Sequence, residues 1–163
     1  MEHCLYPHIY TPASARDLPV VFHIHGDFFS YGSVNLDEAK YLIDCDVVYV
    51  SVNYRLGVLG FLSSRDHVVP GNMGLKDQSM ALRWVRDNIR DCGGDPGRVT
   101  LTGVDAGGAS VHLQMLSPMS RGLFRHGMEV ADVVKCMKTL PAEKVAYAQA
   151  FYQLEIENFN CAI

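Results

Sequence analysis

The chain has 163 residues, 48% of them hydrophobic and 20% charged, with a formal net charge of -4. That is enough chain for one core and too little for two comfortable domains. Arg83, Arg86, Arg90 and Arg98 are interleaved with Asp87, Asp91 and Asp95, which leaves no polybasic stripe for nucleic acid or anionic lipid, and the apolar runs fall short of the ~20 residues that span a bilayer. The opening MEHCLYPHIYTP has no basic stretch followed by an apolar one, so it does not read as a signal peptide, and the compartment stays open.

Leu18 to Gly26 (LPVVFHIHG) and Asp46 to Tyr54 (DVVYVSVNY) are continuous apolar, β-branched runs. Strands covered on both faces have this pattern, so both are expected at the centre of a sheet. Between them Leu36 to Leu42 can form a short helix. In KDQSMALRWVRDNIRDCGGDP, Ala81, Leu82, Val85 and Ile89 share one helical face, and Gly93, Gly94 and Pro96 end the helix. Trp84 is expected to pack with Leu82 and Val85, and Tyr54-Arg55 to serve a loop and ion-pair network. A strand at Val99 to Leu101 follows, then a helix from about Ala106 to Leu116 stopped by Ser117-Pro118. Two more helical stretches fall around Ala131 to Lys138 and Pro141 to Leu154. The order β, short α, β, α, β, α implies an open, doubly wound α/β sheet, mostly parallel.

Five cysteines show no CxxC and no zinc-like spacing with histidine, so neither a metal nor a cofactor is expected. His23-x-His25 puts two imidazoles on one side of a strand, but a third ligand is not evident. His25 is expected to bond locally in a tight turn.

RVTLTGVDAGGAS, Arg98 to Ser110, carries the pointed chemistry. A β-rich run leads into Gly103-Val104-Asp105-Ala106-Gly107 and a helix, the outline of a G-x-S-x-G nucleophile elbow with aspartate where serine belongs. Gly103, Gly107 and Gly108 suit the close approaches of such a turn. The motif alone allows a different nucleophile, a lost one, or no elbow.

CLYPHIYTP, VVFHIHG, VSVNYRLGVLGFLS, GNMGLKDQSMALRWVRDNI, GGDPGRVTLTG, AGGASVHLQMLSP and GLFRHGM occur in this order. Together they resemble the N-terminal part of a type-B carboxylesterase, the cholinesterase-like branch of the α/β-hydrolase fold. The run Lys76-Asp77-Gln78 is similar to insect esterases. The resemblance implies ester hydrolysis by a serine triad, an ester substrate, and a family whose members are often secreted.

Residue by residue, the implied machinery is damaged. The nucleophile slot is Asp105. A carboxylate attacking an ester forms a mixed anhydride and must expel an alkoxide, a poorer leaving group than itself. The family's oxyanion loop, of His-Gly-Gly-Gly-Phe type, here reads His25-Gly26-Asp27-Phe28-Phe29, so the oxyanion-hole slots are Asp27, Phe28 and Ala106. Side chains restrict the φ values that glycine permits, and the Asp27 carboxylate opposes a developing oxyanion. Losing one such donor costs roughly 3 kcal/mol of transition-state stabilisation. His112 lies two helical turns past the elbow and His126 in the following loop, so neither takes the histidine's role.

Residues 1–128 are therefore expected to form the N-terminal part of a carboxylesterase-type domain, and residues 129–163 a helical tail joined across a deletion. Cys4 resembles a family cysteine that pairs with one further upstream. Strands that follow the elbow strand in the fold are expected to be missing, leaving Val99 to Leu101 without a neighbour on one side and the chain prone to aggregate. Three functions follow: a catalytically inactive fragment or remnant; a non-catalytic adhesion protein of the neurotactin or glutactin type, with a protein partner; or an aspartate-nucleophile hydrolase acting on alkyl carbon.

Overall fold

The computed structural model describes residues 5–34 and 39–128, all within the first of two compact units, Met1–Val130. Cys4 and the two tail helices expected beyond Ala131 lie outside the described residues.

The described residues form a five-stranded sheet: β1 (Pro7–Tyr10), β2 (Leu18–Ile24), β3 (Val48–Val52), β4 (Gly94–Gly103) and β5 (His126–Met128), in the order β1-β3-β2-β4-β5. β1 runs antiparallel to β3, and the remaining pairs are parallel. The helices are α1 (Ala39–Leu42), α2 (Gly57–Phe61), α3 (Met73–Asn88) and α4 (Ala106–Leu116). β2 and β3 are both central, and all five residues of β3 are buried, Ser51 included, as in a parallel strand covered on both faces.

The core gathers Val20, Phe22 and Ile24 from β2, Val48, Val50 and Val52 from β3, and Val99 and Leu101 from β4. Leu82 and Val85 of α3, Ile89 just beyond it and Val111 of α4 join them, each fully buried. Each such side chain contributes about 1.5–3 kcal/mol relative to exposure. Trp84 departs from the expected packing and is 40% exposed. Positions two apart on a helix point about 200° from each other, so the residue after next from buried Leu82 faces outward.

α3 is joined to α4 by a buried polar network. Gln78 Nε2 donates to Ser110 Oγ at 3.0 Å, and Gln114 Nε2 donates to Gln78 Oε1 at 3.0 Å and to the Leu75 carbonyl at 2.9 Å. The hydroxyls of Ser79 and Ser120 both donate to Gln114 Oε1.

Three elements were not legible. β1 is only four residues, and α2 reads GVLGF, with two glycines that hide a helix. β5, three residues with glycine at its centre, corrects the expectation of an unpartnered elbow strand: Thr100, Leu101 and Thr102 of β4 pair with His126, Gly127 and Met128. His126 therefore lies on a strand and not in a loop. β4 itself begins earlier than Val99, at Gly94, because its pairing with β2 jumps register between Leu18 and Val20 and the intervening residues bulge out.

Candidate functional site

β2 and β4 are neighbours, yet the chain leaves β2 for β3 on its other side. Open α/β sheets form their ligand crevices at such a switch point, outside the carboxyl ends of the strands. Ile24 is level with Gly103, so the loop after β2 and the turn after β4 emerge side by side.

The turn is tight. Asp105 occupies the N-cap position of α4 without a side-chain capping bond, at φ 53° and ψ -120°, a sparsely populated conformation for a residue with a side chain. The Gly107 amide donates to the Val104 carbonyl at 2.8 Å, and the Ala109 amide to the Asp105 carbonyl at 3.0 Å. A Cβ at Gly103 would fall 2.3 Å from the Gly107 carbonyl carbon, and one at Gly107 only 2.0 Å from the Ile24 carbonyl oxygen. The start of α4 thus rests on the bare backbone of β2 and β4. Gly108 is looser, its would-be Cβ 3.2 Å from the Gly103 oxygen, and Ala106 is buried at the first helical position.

Opposite the turn, Asp27, Phe28 and Phe29 have φ of 68°, 55° and 59°, three left-handed residues in succession, none of them glycine. The loop thus sits in the left-handed region at a steric cost. Neighbours hold it there. The Ser30 amide donates to the Asp27 carbonyl at 3.0 Å, the Gly57 amide to the Phe29 carbonyl at 2.6 Å, and the Phe29 ring meets Phe61 edge-on at 5.0 Å. The Phe28 amide crosses the crevice and donates to Asp105 Oδ2 at 3.0 Å. Gly26 permits this approach, since a Cβ there would lie 2.6 Å from the Val104 oxygen and 3.1 Å from Asp105 Cβ.

Tyr54, which follows β3, braces the loop from behind. Its hydroxyl donates to the His25 carbonyl at 3.0 Å, and its ring stacks on the His25 imidazole with centroids 4.6 Å apart. Burial, then the negative charges of Asp27 and Asp105, push the Tyr54 hydroxyl pKa up. The two carboxylates thus act on one region. Sequence reasoning missed this brace because it depends on β3 lying beside β2. Arg55, the next residue, places Nε and Nη2 each 2.7 Å from the Asp77 carboxylate, and its amide donates to Asp77 Oδ2 at 3.1 Å, tying the loop after β3 to α3.

The histidines are dispersed. His25 is buried just past the end of β2 and stacked on Tyr54. His23 Nδ1 lies 3.2 Å from Thr102 Oγ1, and burial lowers its pKa to about 4. His112 is exposed seven residues past Asp105, about 10 Å along α4. His126 is paired with Thr100, three residues before Gly103 and so about 10 Å back along the strand. Among the described residues no group of three or more His, Cys, Asp or Glu converges to hold a metal ion.

An elbow at the switch point of a mostly parallel sheet, facing a loop of left-handed amides, defines an α/β-hydrolase scaffold. The chain is 53% identical over 138 residues to venom carboxylesterase-6 of Apis mellifera, covering 83% of this chain and 25% of that protein. It is 52% identical over 134 residues to esterase FE4 of Myzus persicae, covering 78% and 24%. The solved structure of a thermophilic pNB esterase superposes with a TM-score of 0.73 at 41% identity, over 78% of this chain and 28% of that one. The profile of the carboxylesterase family matches residues 1–154, and the chain belongs to that family. It spans about a quarter of the length of these curated relatives.

Proposed function

We propose that this chain is a carboxylesterase-family protein that does not hydrolyse esters at its elbow, with Asp105 standing in the place of the serine nucleophile. Residues 1–128 correspond in this reading to the N-terminal part of the domain, and residues 129–163 to a later segment joined across a deletion. The observation that carries it is the aspartate at the elbow tip, in the strained conformation that presents a side chain to the crevice. A carboxylate there expels an alkoxide less readily than it is itself expelled.

Two further features support the reading. The Asp27 carboxylate stands in the loop that would stabilise an oxyanion, and the two histidines that follow the elbow, His112 and His126, each lie about 10 Å from it along their elements. Without a general base, a nucleophile loses orders of magnitude in rate. Any ester substrate belongs to the chain by family likeness alone. The test is turnover of an activated aryl ester by the full chain and by Asp105→Ser. Neither is expected to exceed background, and hydrolysis by the native chain that vanishes in Asp105→Ala overturns the reading.

A further inference from the structure

We propose that the Asp105 carboxylate is a built-in occupant of the loop opposite it, an intramolecular anion that holds residues 27–29 left-handed and closes the Phe28 amide to any outside carbonyl. The inference rests on the reading above in taking Asp105 as held rather than attacking. Runs of backbone amides in tight turn conformations form concave anion sites. Here Asp27, Phe28 and Phe29 form such a turn with side chains that disfavour it, and the Phe28 amide donates across the crevice to Asp105 Oδ2, at 3.0 Å. The two segments are in backbone contact at Gly26 and Val104, so the carboxylate reaches the amide with no gap between them. A serine hydroxyl in that place would be shorter and uncharged, and would leave the amide open for a ligand.

The contact occupies the loop from within: the group at the elbow tip is held by the loop it faces. The test is amide hydrogen exchange of the full chain, read residue by residue by NMR. In Asp105→Ala the Phe28 amide is expected to exchange roughly fivefold faster or more. The Ser30 amide, bonded within the same turn, should follow. Amides of Val50 and Leu101 in the sheet should be unchanged. Unaltered Phe28 exchange in a variant with intact sheet protection overturns the proposal. If Asp105→Ala loses sheet protection as well, Asp105→Asn decides, because it keeps an acceptor without the charge. Phe28 exchange between wild type and fully open supports the anion role, and exchange equal to wild type overturns it. Ester turnover by the native chain would sink the proposed inactivity and leave this exchange result standing on its own.

Discussion

Replacing Gly107 by alanine tests whether α4 truly rests on the backbone of β2. The added methyl would lie 2.0 Å from the Ile24 oxygen, 2.9 Å from the Ile24 carbonyl carbon and 3.0 Å from the His25 oxygen, whereas ordinary contacts begin near 3.4 Å. All three are main-chain atoms in or at the end of a central strand, so α4 must retreat by roughly 1 Å or more. Such overpacking costs about 1–3 kcal/mol, and alanine returns at most about 1 kcal/mol through helix propensity. Retreat also loosens Val111, which is fully buried beneath the helix. The expected net loss is about 2 kcal/mol, or roughly 6 °C in Tm for a chain of this size. Gly108→Ala is the matched control. It offers the same propensity gain, and its methyl meets only the Gly103 backbone, at 3.2 Å and 3.8 Å, so it should stay within about 1 kcal/mol of wild type. Urea denaturation followed by circular dichroism measures both. Equal stabilities for the two variants would refute the close approach of helix and strand.

Gln114→Leu removes the centre of the network between α3 and α4, leaving Ser79, Ser120, Gln78 and the Leu75 carbonyl short of partners. A loss of about 3 kcal/mol is expected in the same assay, and a loss below about 1 kcal/mol would contradict the network's role. His23 adds a pH dependence. Burial lowers its folded-state pKa to about 4, so between pH 6.5 and 4 the unfolded chain takes up a proton that the folded chain refuses. Stability is expected to fall as pH drops through that window, and His23→Gln should flatten the decline. An unchanged urea-midpoint difference between pH 7 and pH 5 in the variant would refute the assignment.

The sequence carried the central strands and the long helix because their apolar periodicity is strong. β2, β3, α3 and α4 all lie where the runs of β-branched residues, the Leu82-Val85-Ile89 face and the Ser117-Pro118 stop put them. β1, α2 and β5 are three to five residues each, and their order comes from neighbours and not from local pattern. Gly127 illustrates this: it is tolerated in a strand because the Met115 and Val111 side chains fill the space where its Cβ would be. The elbow was legible because glycine spacing reports backbone contact directly. The Phe28–Asp105 bond was not, since it joins residues 77 apart in sequence through a register known only once β2 and β4 are paired. The Tyr54 brace and the Arg55–Asp77 pair likewise depend on tertiary neighbours, although the paired charges were expected in kind.

Whether the elbow retains any nucleophilic chemistry is decided by intact mass after exposure to an organophosphate that labels activated serines. The full chain and its Asp105→Ser variant are incubated with excess reagent and weighed. In the proposed reading Asp27 would oppose an oxyanion, and His112 and His126 lie about 10 Å from the turn, so both should remain unlabelled. Stoichiometric phosphorylation of the serine variant, mapped to position 105, would show a working base and oxyanion loop and would contradict the inactive reading.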